Sequence, residues 1–379
     1  MDGPIRVLLV LATLNQGGAE NLVMNLYREI DRDQIQFDII VHRNERGAFD
    51  AEVESLGGRL YHAPQYTGMN YFQYVRWWEM FLSDHPEYRI LHSHISSYAS
   101  LFFPVAKKHG LKTISHSHNT SNGKGFASVA KNLLQFPLRF QADYMFACSM
   151  EAGKFVFGEK AVEKENFRFI PNGIDCERFA FSEENRARVR KELGIENNFV
   201  VGHVGRHTFQ KNPLFLMEIF AELYKRDRSV RLLQIGGGGM TEQMKQKCRE
   251  LGIADAVIFA GIHADVEKYY SAMDLFLLPS LHEGLAVVLI EAQANGLMCV
   301  VADEAIPKAA EVAENLFTRV SLKADAAAWA EEILKRKNGA ADRGGGESVA
   351  NSQFNIKKVA SDLTAFYERL YDRQSNKTV

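Results

Sequence analysis

Short apolar runs alternate along this chain with longer segments of helical period. The runs are rich in Val, Ile, Leu and Phe and are too short to be helices. Such runs are typical of parallel strands that helices cover on both faces of a sheet. The first series predicts helices that begin near Gly18, Phe72, Ser97 and Ser128, and strands at Ile5 to Leu11, Phe37 to Val41, Ile90 to Ser93, Lys112 to Ser115 and Tyr144 to Cys148.

A second series of the same kind follows and predicts a second sheet. Its helices begin near Leu214, Thr241, Val266 and Leu285, and its strands lie at Val200 to Val204, Arg231 to Ile235, Val257 to Ala260, Leu275 to Leu278 and Met298 to Ala302. A loose loop from Asn338 to Gly346 precedes an amphipathic helix from about Ile356 to Tyr371. The pattern predicts two doubly wound α/β domains.

The segment Phe169 to Asp175 interrupts the pattern between the two series. Pro171 lacks a backbone donor, and the pair Asn172 and Gly173 favours a turn. We therefore expect the junction just after this segment, in the charged stretch Ser182 to Glu196. The predicted domains are residues 1–180, with the C-terminal helix of residues 356–379 crossing back to them, and residues 181–355.

Composition narrows the class of protein. The 379 residues are 46% hydrophobic and 24% charged, which is ample for two soluble domains. A net charge of -2 with dispersed Lys and Arg disfavours nucleic acid as a partner. The four cysteines, without a CxxC pair, suggest reduced, buried thiols of a cytoplasmic protein, at most at the inner face of the membrane. The run Val7 to Ala12 is too short for a signal core, and no apolar run is long enough to span a bilayer.

Two cations follow the first strand of the second series. Arg206 can bind two oxygens with its guanidinium, and Lys211 adds a point charge. Ligands of open α/β sheets bind at strand ends, so this position favours an anion site over a plain solvated loop. On its own the loop is a weak signal.

Glu283 and Glu291 follow a later strand of the same series. Gly284 lets the backbone approach a ligand where a helix starts, with free amides pointing at an anion. We expect Glu283 on the loop, facing sugar hydroxyls, and Glu291 two turns into the helix, accepting both hydroxyls of a ribose. Both could instead be ordinary acidic helix residues. Glu291 lies in an otherwise apolar run, where an unpaired carboxylate is costly, and this favours function.

Gly17 and Gly18 form a tight turn between the first strand and a helix, where they could contact a phosphate. A plain strand-to-helix turn explains them equally well. The segment is not a GxGxxG fingerprint, so a dehydrogenase is disfavoured.

Histidines recur as His92 with His94 and as His116 with His118, each pair at the end of a predicted strand. The pairing suggests zinc, but a zinc site needs three or four ligands and a second shell, and no Cys or acidic partner is near in sequence. Core or cleft histidines are therefore favoured, and no metal is expected.

Two segments mix aromatic and basic residues, Asn70 to Trp78 and Lys131 to Arg139. They could touch a membrane that carries a lipid-linked acceptor. Their helical spacing favours packing into the core instead.

Taken together, the motifs resemble glycosyltransferase family four over nearly the whole chain. The resemblance is carried by Glu-x7-Glu at residues 283–291, Gly-Arg-x4-Lys-Asn at 205–212 and Asn-Gly-Ile-Asp at 172–175. It is strongest to bacterial capsular and exopolysaccharide transferases, through Ser115 to Thr120, Gln210 to Pro213, Ser271 to Asp274 and Glu291 to Ala294. One departure is Met298, where relatives usually have proline after Gly-Leu.

The resemblance implies a GT-B fold, with two Rossmann-like domains facing a central cleft. It also implies a retaining transferase that needs no metal and takes a nucleotide diphosphate sugar, expected to be a UDP-sugar, to a saccharide or lipid-linked saccharide acceptor. Carried over by motif, Arg206 and Lys211 would hold the diphosphate, and Glu291 would bind the ribose. Glu283 with the backbone of Gly284, Leu285 and Ala286 would bind the sugar and the distal phosphate. Gly17 and Gly18 would contact a phosphate.

On the acceptor side the resemblance points to His116, which would orient the hydroxyl or help move its proton. His118 could share that role, and Asn119 lies beside it. Two rivals remain at this point. One is a sugar-nucleotide epimerase of the same fold, and the other is a non-catalytic partner subunit that has kept the fold. The Asn-Gly-Ile-Asp turn and the Glu-x7-Glu spacing disfavour the first, and the intact motifs disfavour the second.

Overall fold

The computed structural model describes residues 3–15, 17–43, 45–119, 123, 125–337 and 343–375. The chain divides into two compact units, one of residues 1–173 with 356–379 and one of residues 174–355. Most of the loop predicted before the last helix, residues 338–342, lies outside the described residues, as do Gln16 and Thr120 of the motifs above.

The first unit is built on a parallel sheet of seven strands in the order β3-β2-β1-β4-β5-β6-β7. Strand β1 lies near the middle and is buried along most of its length, which explains its continuous apolar run. The strands are β1 (Ile5–Leu11), β2 (Ile35–Val41), β3 (Leu60–His62), β4 (Ile90–Ser93), β5 (Lys112–Ser117), β6 (Tyr144–Ala147) and β7 (Phe167–Phe169).

Helices cover both faces of this sheet and form two apolar cores with it. They are α1 (Gly18–Glu29), α2 (Asp50–Ser55), α3 (Tyr71–Asp84), α4 (Ala99–Lys108), α5 (Phe126–Gln135), α6 (Leu138–Gln141) and α7 (Met150–Phe157). The C-terminal helix, Ile356–Ser375, also packs in the first unit, where Phe366 and Tyr367 join the core formed by β1 and α1. The prediction that this helix returns to the first domain is confirmed.

The second unit has a parallel sheet of six strands in the order β10-β9-β8-β11-β12-β13. Its strands are β8 (Phe199–Val204), β9 (Val230–Ile235), β10 (Val257–Gly261), β11 (Leu275–Leu278), β12 (Met298–Ala302) and β13 (Phe317–Val320). Its helices are α8 (Glu183–Leu193), α9 (Pro213–Arg226), α10 (Thr241–Glu250), α11 (Glu267–Ala272), α12 (Val287–Ala294), α13 (Ala326–Lys337) and α14 (Gly346–Ala350). The C-terminal helix of the first unit is therefore α15. Two apolar cores again lie on the two faces.

The strand order places a topological switch point in each sheet. In the first unit it falls between β1 and β4, and in the second between β8 and β11, because the chain winds outward in opposite directions from these pairs. All strands of a parallel sheet end at the same edge, and the crevice at the switch point is where such sheets bind ligands. We therefore expect ligand-binding residues in the loops after β1, β4, β8 and β11.

The boundary between the units lies at Gly173 and Ile174, a few residues before the predicted junction. The charged stretch Ser182 to Glu196 is not a linker, because helix α8 occupies most of it inside the second unit. Arg186 and Arg190 of this helix both donate to the carboxylate of Asp274, and the Arg186 contact measures 2.6 Å. Two of the charges in this stretch, Arg186 and Arg190, thus lie on the inner side of the helix, whereas Glu183, Glu184 and Arg188 are exposed.

The two aromatic segments behave differently. In the first, Tyr74 and Trp78 are fully buried as the core interpretation predicts, whereas Phe72 is 86% exposed. In the second, Leu133 and Phe136 are exposed, so core packing does not account for this segment.

No helix in the described part of the chain is long and apolar enough to cross a membrane. None of the four cysteines forms a disulfide; three are buried, and Cys176 is only partly so.

Candidate functional site

In the second unit, the loops after β8 and β11 meet at the switch point. Leu281 N donates to the carbonyl of Gln210 over 2.8 Å, and the Gln210 side chain donates to the carbonyl of His282 over 2.7 Å. Asn212 donates to the carbonyl of Pro279 over 3.1 Å. These bonds hold the two loops in one register, so the groups that they carry keep fixed positions relative to one another.

The two predicted cations of this edge have different surroundings. Lys211 Nζ lies 2.6 Å from Glu283 Oε1, and both side chains are largely buried. Arg206 is exposed, and within the described residues it takes part in none of the ion pairs. The sequence prediction that Arg206, Lys211 and Glu283 lie at one edge is consistent with this arrangement, which offers one exposed cation and one buried, paired cation.

Helix α12 begins with a left-handed residue. Ala286 has φ 57° and ψ 64° at the N-cap, a conformation that costs a residue other than glycine about 1 kcal/mol. Leu285 and Ala286 are buried in the core, so only their backbone can meet a ligand. Gly284 has nothing of the protein within 4 Å of where a Cβ would stand. This open space leaves room for a ligand against the backbone.

Glu291 is the fifth residue of α12, just over one turn in, and not two turns as predicted. The Tyr270 hydroxyl donates to its Oε2 over 2.7 Å. Burial raises the pKa of Glu291 to about 7, against the opposing effects of the Tyr270 hydrogen bond and of the positive charge of Arg178. Lys211 also lowers this pKa, so the cation acts on both acidic residues of the site.

A run of four glycines after β9, residues 236–239, completes this edge, and the sequence analysis missed it. A Cβ at Gly236 would lie 2.0 Å from the carbonyl oxygen of Gly205, and one at Gly238 would lie 2.7 Å from that of His207. The backbones of the two loops therefore touch, and His207 N donates to Gly237 O over 2.9 Å. Four glycines directly after a predicted strand were the available signal.

The first unit contains a cavity of about 660 Å³ at its own switch point. Gly18, His94, His118 and Asn119 are among its lining residues, whereas His116 is not among the described residues that line it. Gly18 has nothing within 4 Å of a Cβ position, and its backbone does not need glycine. The protein itself therefore does not explain why glycine stands there, while close approach by a ligand would.

The four predicted histidines form one buried stack behind and beside this cavity. The ring of His116 lies 4.3 Å from that of His118 and 5.3 Å from that of His92, measured between centroids. His94 Nδ1 and His118 Nε2 are 2.9 Å apart, so one nitrogen donates and the other accepts. Burial lowers the pKa of His118 to about 4 and that of His116 well below its ordinary value, with their neighbours adding to the shift for His116. The stack is neutral near pH 7.

The stack bears on the question of a metal. One ring nitrogen from each of His92, His94 and His116 lies within 4.8 Å of the others. However, the His92 ring is tilted by only 13° from that of His116 and 23° from that of His94. Nearly parallel rings do not direct their nitrogens at one point, as a tetrahedral site requires. The absence of a metal stays a prediction.

Two further residues of the first unit were missed. The hydroxyl of Tyr367, on α15, lies 2.6 Å from His92 Nδ1 and fixes the inner end of the histidine stack. Asn172 lines the cavity, and its buried Oδ1 has no hydrogen-bond partner within the described structure. The sequence marked Asn172 as part of a turn and of the Asn-Gly-Ile-Asp motif but assigned it no contact, and nothing in it placed Tyr367 beside a histidine.

Sequence profiles of two families match the chain. "Glycosyltransferase Family 4" matches residues 16–178, and "Glycosyl transferases group 1" matches residues 185–342. The putative glycosyltransferase EpsF of Bacillus subtilis is 35% identical over 335 residues, which are 87% of each chain. An Escherichia coli protein, UDP-Gal:alpha-D-GlcNAc-diphosphoundecaprenol alpha-1,3-galactosyltransferase, is 28% identical over 57% of this chain and 58% of its own.

Among solved structures, Anabaena Alr3699/HepE in complex with UDP superposes with a TM-score of 0.78 at 20% identity, over 97% of this chain and 100% of its own. Together with the two parallel sheets, this shows the GT-B fold, and the matched families make the protein a glycosyltransferase. The chain belongs to glycosyltransferase family four.

The raised pKa of Glu291 predicts a pH effect on stability. The carboxyl titrates near 4.5 when unfolded and near 7 when folded, so between these values the folded protein binds the additional proton. The contribution of this group to the free energy of unfolding is therefore present below about pH 4.5 and is lost as the pH rises to about 7. Glu291→Gln removes the effect. Melting temperatures of both proteins at about pH 5 and about pH 8 should show the wild type losing stability relative to the variant. An equal difference at both pH values contradicts the assignment.

Proposed function

We propose that the protein transfers a sugar from a UDP-sugar to a hydroxyl of a saccharide acceptor, with retention of anomeric configuration and without a bound metal. The observation that carries the proposal is the carboxylate of Glu291, held by Tyr270 at the edge of the second sheet where Arg206 and Lys211 also lie. An acid in an apolar helix beside two cations suits a ligand with hydroxyls at one end and phosphates at the other.

The diphosphate is the part of the donor that needs positive charge. Arg206 is exposed and can fold onto two phosphate oxygens with its planar guanidinium. Lys211 is paired with Glu283, and an arriving phosphate would compete for its ammonium group. Two cations acting together can stabilise the charge that develops on the departing diphosphate, which is the role that a metal plays in other enzymes.

The ribose and the sugar occupy the two acidic positions in this proposal. Glu291 accepts hydrogen bonds from both ribose hydroxyls, which a carboxylate does with its two oxygens. Glu283, the open backbone at Gly284 and the amides of Leu285 and Ala286 are assigned to the sugar and the distal phosphate. Uridine as the base is supported by the UDP complexes of HepE and by the UDP-Gal donor named for the Escherichia coli relative.

The cavity of the first unit is proposed to hold the acceptor, with the Gly17–Gly18 turn at its edge. Its lining includes two aromatic faces, Tyr66 and Tyr98, of the kind that pack against sugar rings, and polar groups that can bind hydroxyls. His118 Nδ1 and Asn172 Oδ1 are buried without partners in the described structure. We assign the acceptor contact to His118 and Asn119, with His116 stacked behind to hold the imidazole in place.

The chemical step breaks the bond between the anomeric carbon and the diphosphate oxygen and forms one from that carbon to the acceptor oxygen. The acceptor proton passes to the departing phosphate on the same face, and this preserves the configuration. The neutral histidine stack suits orientation of the hydroxyl more than storage of its proton. The buried free thiols support a reducing, cytoplasmic setting, and contact with the inner membrane face belongs to the same proposal. An epimerase of this fold would instead interconvert UDP-sugars without an acceptor.

The donor site predicts the effect of two substitutions. Arg206→Ala and Glu291→Ala should each weaken UDP binding at least tenfold, or about 1.4 kcal/mol, in titration calorimetry, because each removes a charged contact. The control Arg226→Ala removes an exposed arginine at the end of α9 and should bind UDP as the wild type does. Unchanged UDP affinity in both site variants, with unchanged circular dichroism, overturns the site.

Metal independence is tested by transfer assays in excess chelator. Because two cationic side chains serve the diphosphate, activity should stay within about twofold of the untreated enzyme, where a required metal would cost several kcal/mol of transition-state stabilisation. A complete loss that one divalent ion restores would contradict the proposal and would direct attention to His92, His94 and His116.

A further inference from the structure

Helices α5 and α6 present a row of apolar side chains to solvent. Val129, Leu133, Phe136 and Phe140 are 54%, 70%, 50% and 72% exposed. Single exposed apolar residues are ordinary, but a contiguous row on one element marks an interaction surface.

The spacing makes the row one face of one helical path. The four positions follow i, i+4, i+7 and i+11, which lie within about 60° of one another at 100° per residue. Phe136 and Pro137 keep right-handed helical dihedrals between α5 and α6, so the face continues across the junction. Leu138 and Gln135 are buried on the opposite side. The helical path thus exposes large apolar side chains to solvent, where a surface helix ordinarily has polar ones.

The charge of the surrounding chain selects the kind of surface that the row fits. From Tyr88 to Ala142 the sequence contains no Asp or Glu and seven Lys and Arg residues. Three of these are lysines paired with Asp143 or Glu79, whereas Lys131 and Arg139 on α5 and α6 form no ion pair within the described residues. The Arg139 guanidinium lies 4.1 Å from the centre of the Phe136 ring, so a cation flanks the apolar row directly. Aromatic and aliphatic groups flanked by basic residues, in a helix too short to span, are typical of an element that lies in the interface of an anionic bilayer.

The inner side of the same helix lines the proposed acceptor cavity. Ala130, Lys131, Leu134 and Gln135 contribute to that lining. Lys131 forms no ion pair in the described part of the chain, so this helix contributes a positive charge to the lining of the cavity. One helix therefore has an exposed apolar surface on its outer side and a saccharide-sized cavity on its inner side. The unpaired positive charge of Lys131 lies on the cavity side.

We propose that this row docks the protein on an anionic phospholipid bilayer. Building on the proposed function, it follows that the acceptor is a lipid-linked saccharide, whose lipid stays in the bilayer while its sugar enters the cavity past Lys131. A second protein chain is a poorer occupant, because four side chains bury far less than the roughly 1,000 Å² that a stable interface needs.

The proposal is tested by cosedimentation of the full-length protein with vesicles. We expect binding to vesicles of phosphatidylcholine mixed equally with phosphatidylglycerol, little binding to phosphatidylcholine alone, and weakening by high salt. Leu133→Glu with Phe140→Glu should lower the bound fraction to the level of phosphatidylcholine alone. Ile262→Glu, an equally exposed apolar residue of the second unit, should bind as the wild type does. Leu133, Phe140 and Ile262 are all exposed, so the variants should fold as the wild type does, and circular dichroism checks this.

Binding to UDP separates this proposal from the previous one. Leu133→Glu with Phe140→Glu should keep UDP affinity, whereas Glu291→Ala should lose UDP affinity and keep vesicle binding. Wild-type protein that stays in the supernatant with anionic vesicles would overturn the docking proposal, as would a double variant that sediments like the wild type. A dimer that the double variant dissociates, without vesicle binding, would assign the row to a second copy and overturn it as well.

Discussion

The parallel direction of the strands is the constraint on which both sites depend. Every strand of such a sheet ends at the same edge. Strand order alone therefore brings together residues that are far apart in sequence. In the second unit β8 and β11 are adjacent at the switch point, which brings the loop of Lys211 within 2.6 Å of Glu283. In the first unit the same rule brings the ends of β4 and β5 together and stacks their histidines.

The chemistry of the second unit rests on charges that are held in apolar surroundings. Glu291 would be costly as an isolated carboxylate; the Tyr270 hydroxyl and nearby cations lower its pKa, while burial outweighs them and raises it to about 7. Lys211 and Glu283 neutralise one another. Such pairing lowers the cost of holding two charges at a largely buried edge.

Much of the fold was predictable from period and length. Strands such as Ile5–Leu11 and Met298–Ala302 coincide with their predictions because buried parallel strands are continuous apolar runs with sharp ends. Helix α8 was taken for part of the junction because Val189 and Leu193 are its only core contacts among the described residues. The rest of its inner side is Arg186 and Arg190, which pair with Asp274. Short strands such as β3, with three residues, offer too few positions for a period to show.

The site was predictable in its chemical types but not in all of its members. Glu291 stood out because it was a charge in an apolar run, and Arg206 and Lys211 because they followed a strand. Tyr270 and Tyr367 contact site residues through tertiary packing, which no spacing in the sequence encodes. The distinction between His116 and His118 also needed the structure, because the sequence does not show that β5 ends at Ser117 and that His118, just past it, lines the cavity while His116 is not among the described lining residues.

A crystal structure of the protein with UDP tests the central claim most directly. The account predicts both ribose hydroxyls within hydrogen-bond distance of the Glu291 carboxylate, and diphosphate oxygens on Arg206 and Lys211, with the Lys211–Glu283 contact lengthened from 2.6 Å. UDP bound elsewhere in the second unit, with Glu291 still bonded only to Tyr270, would contradict it.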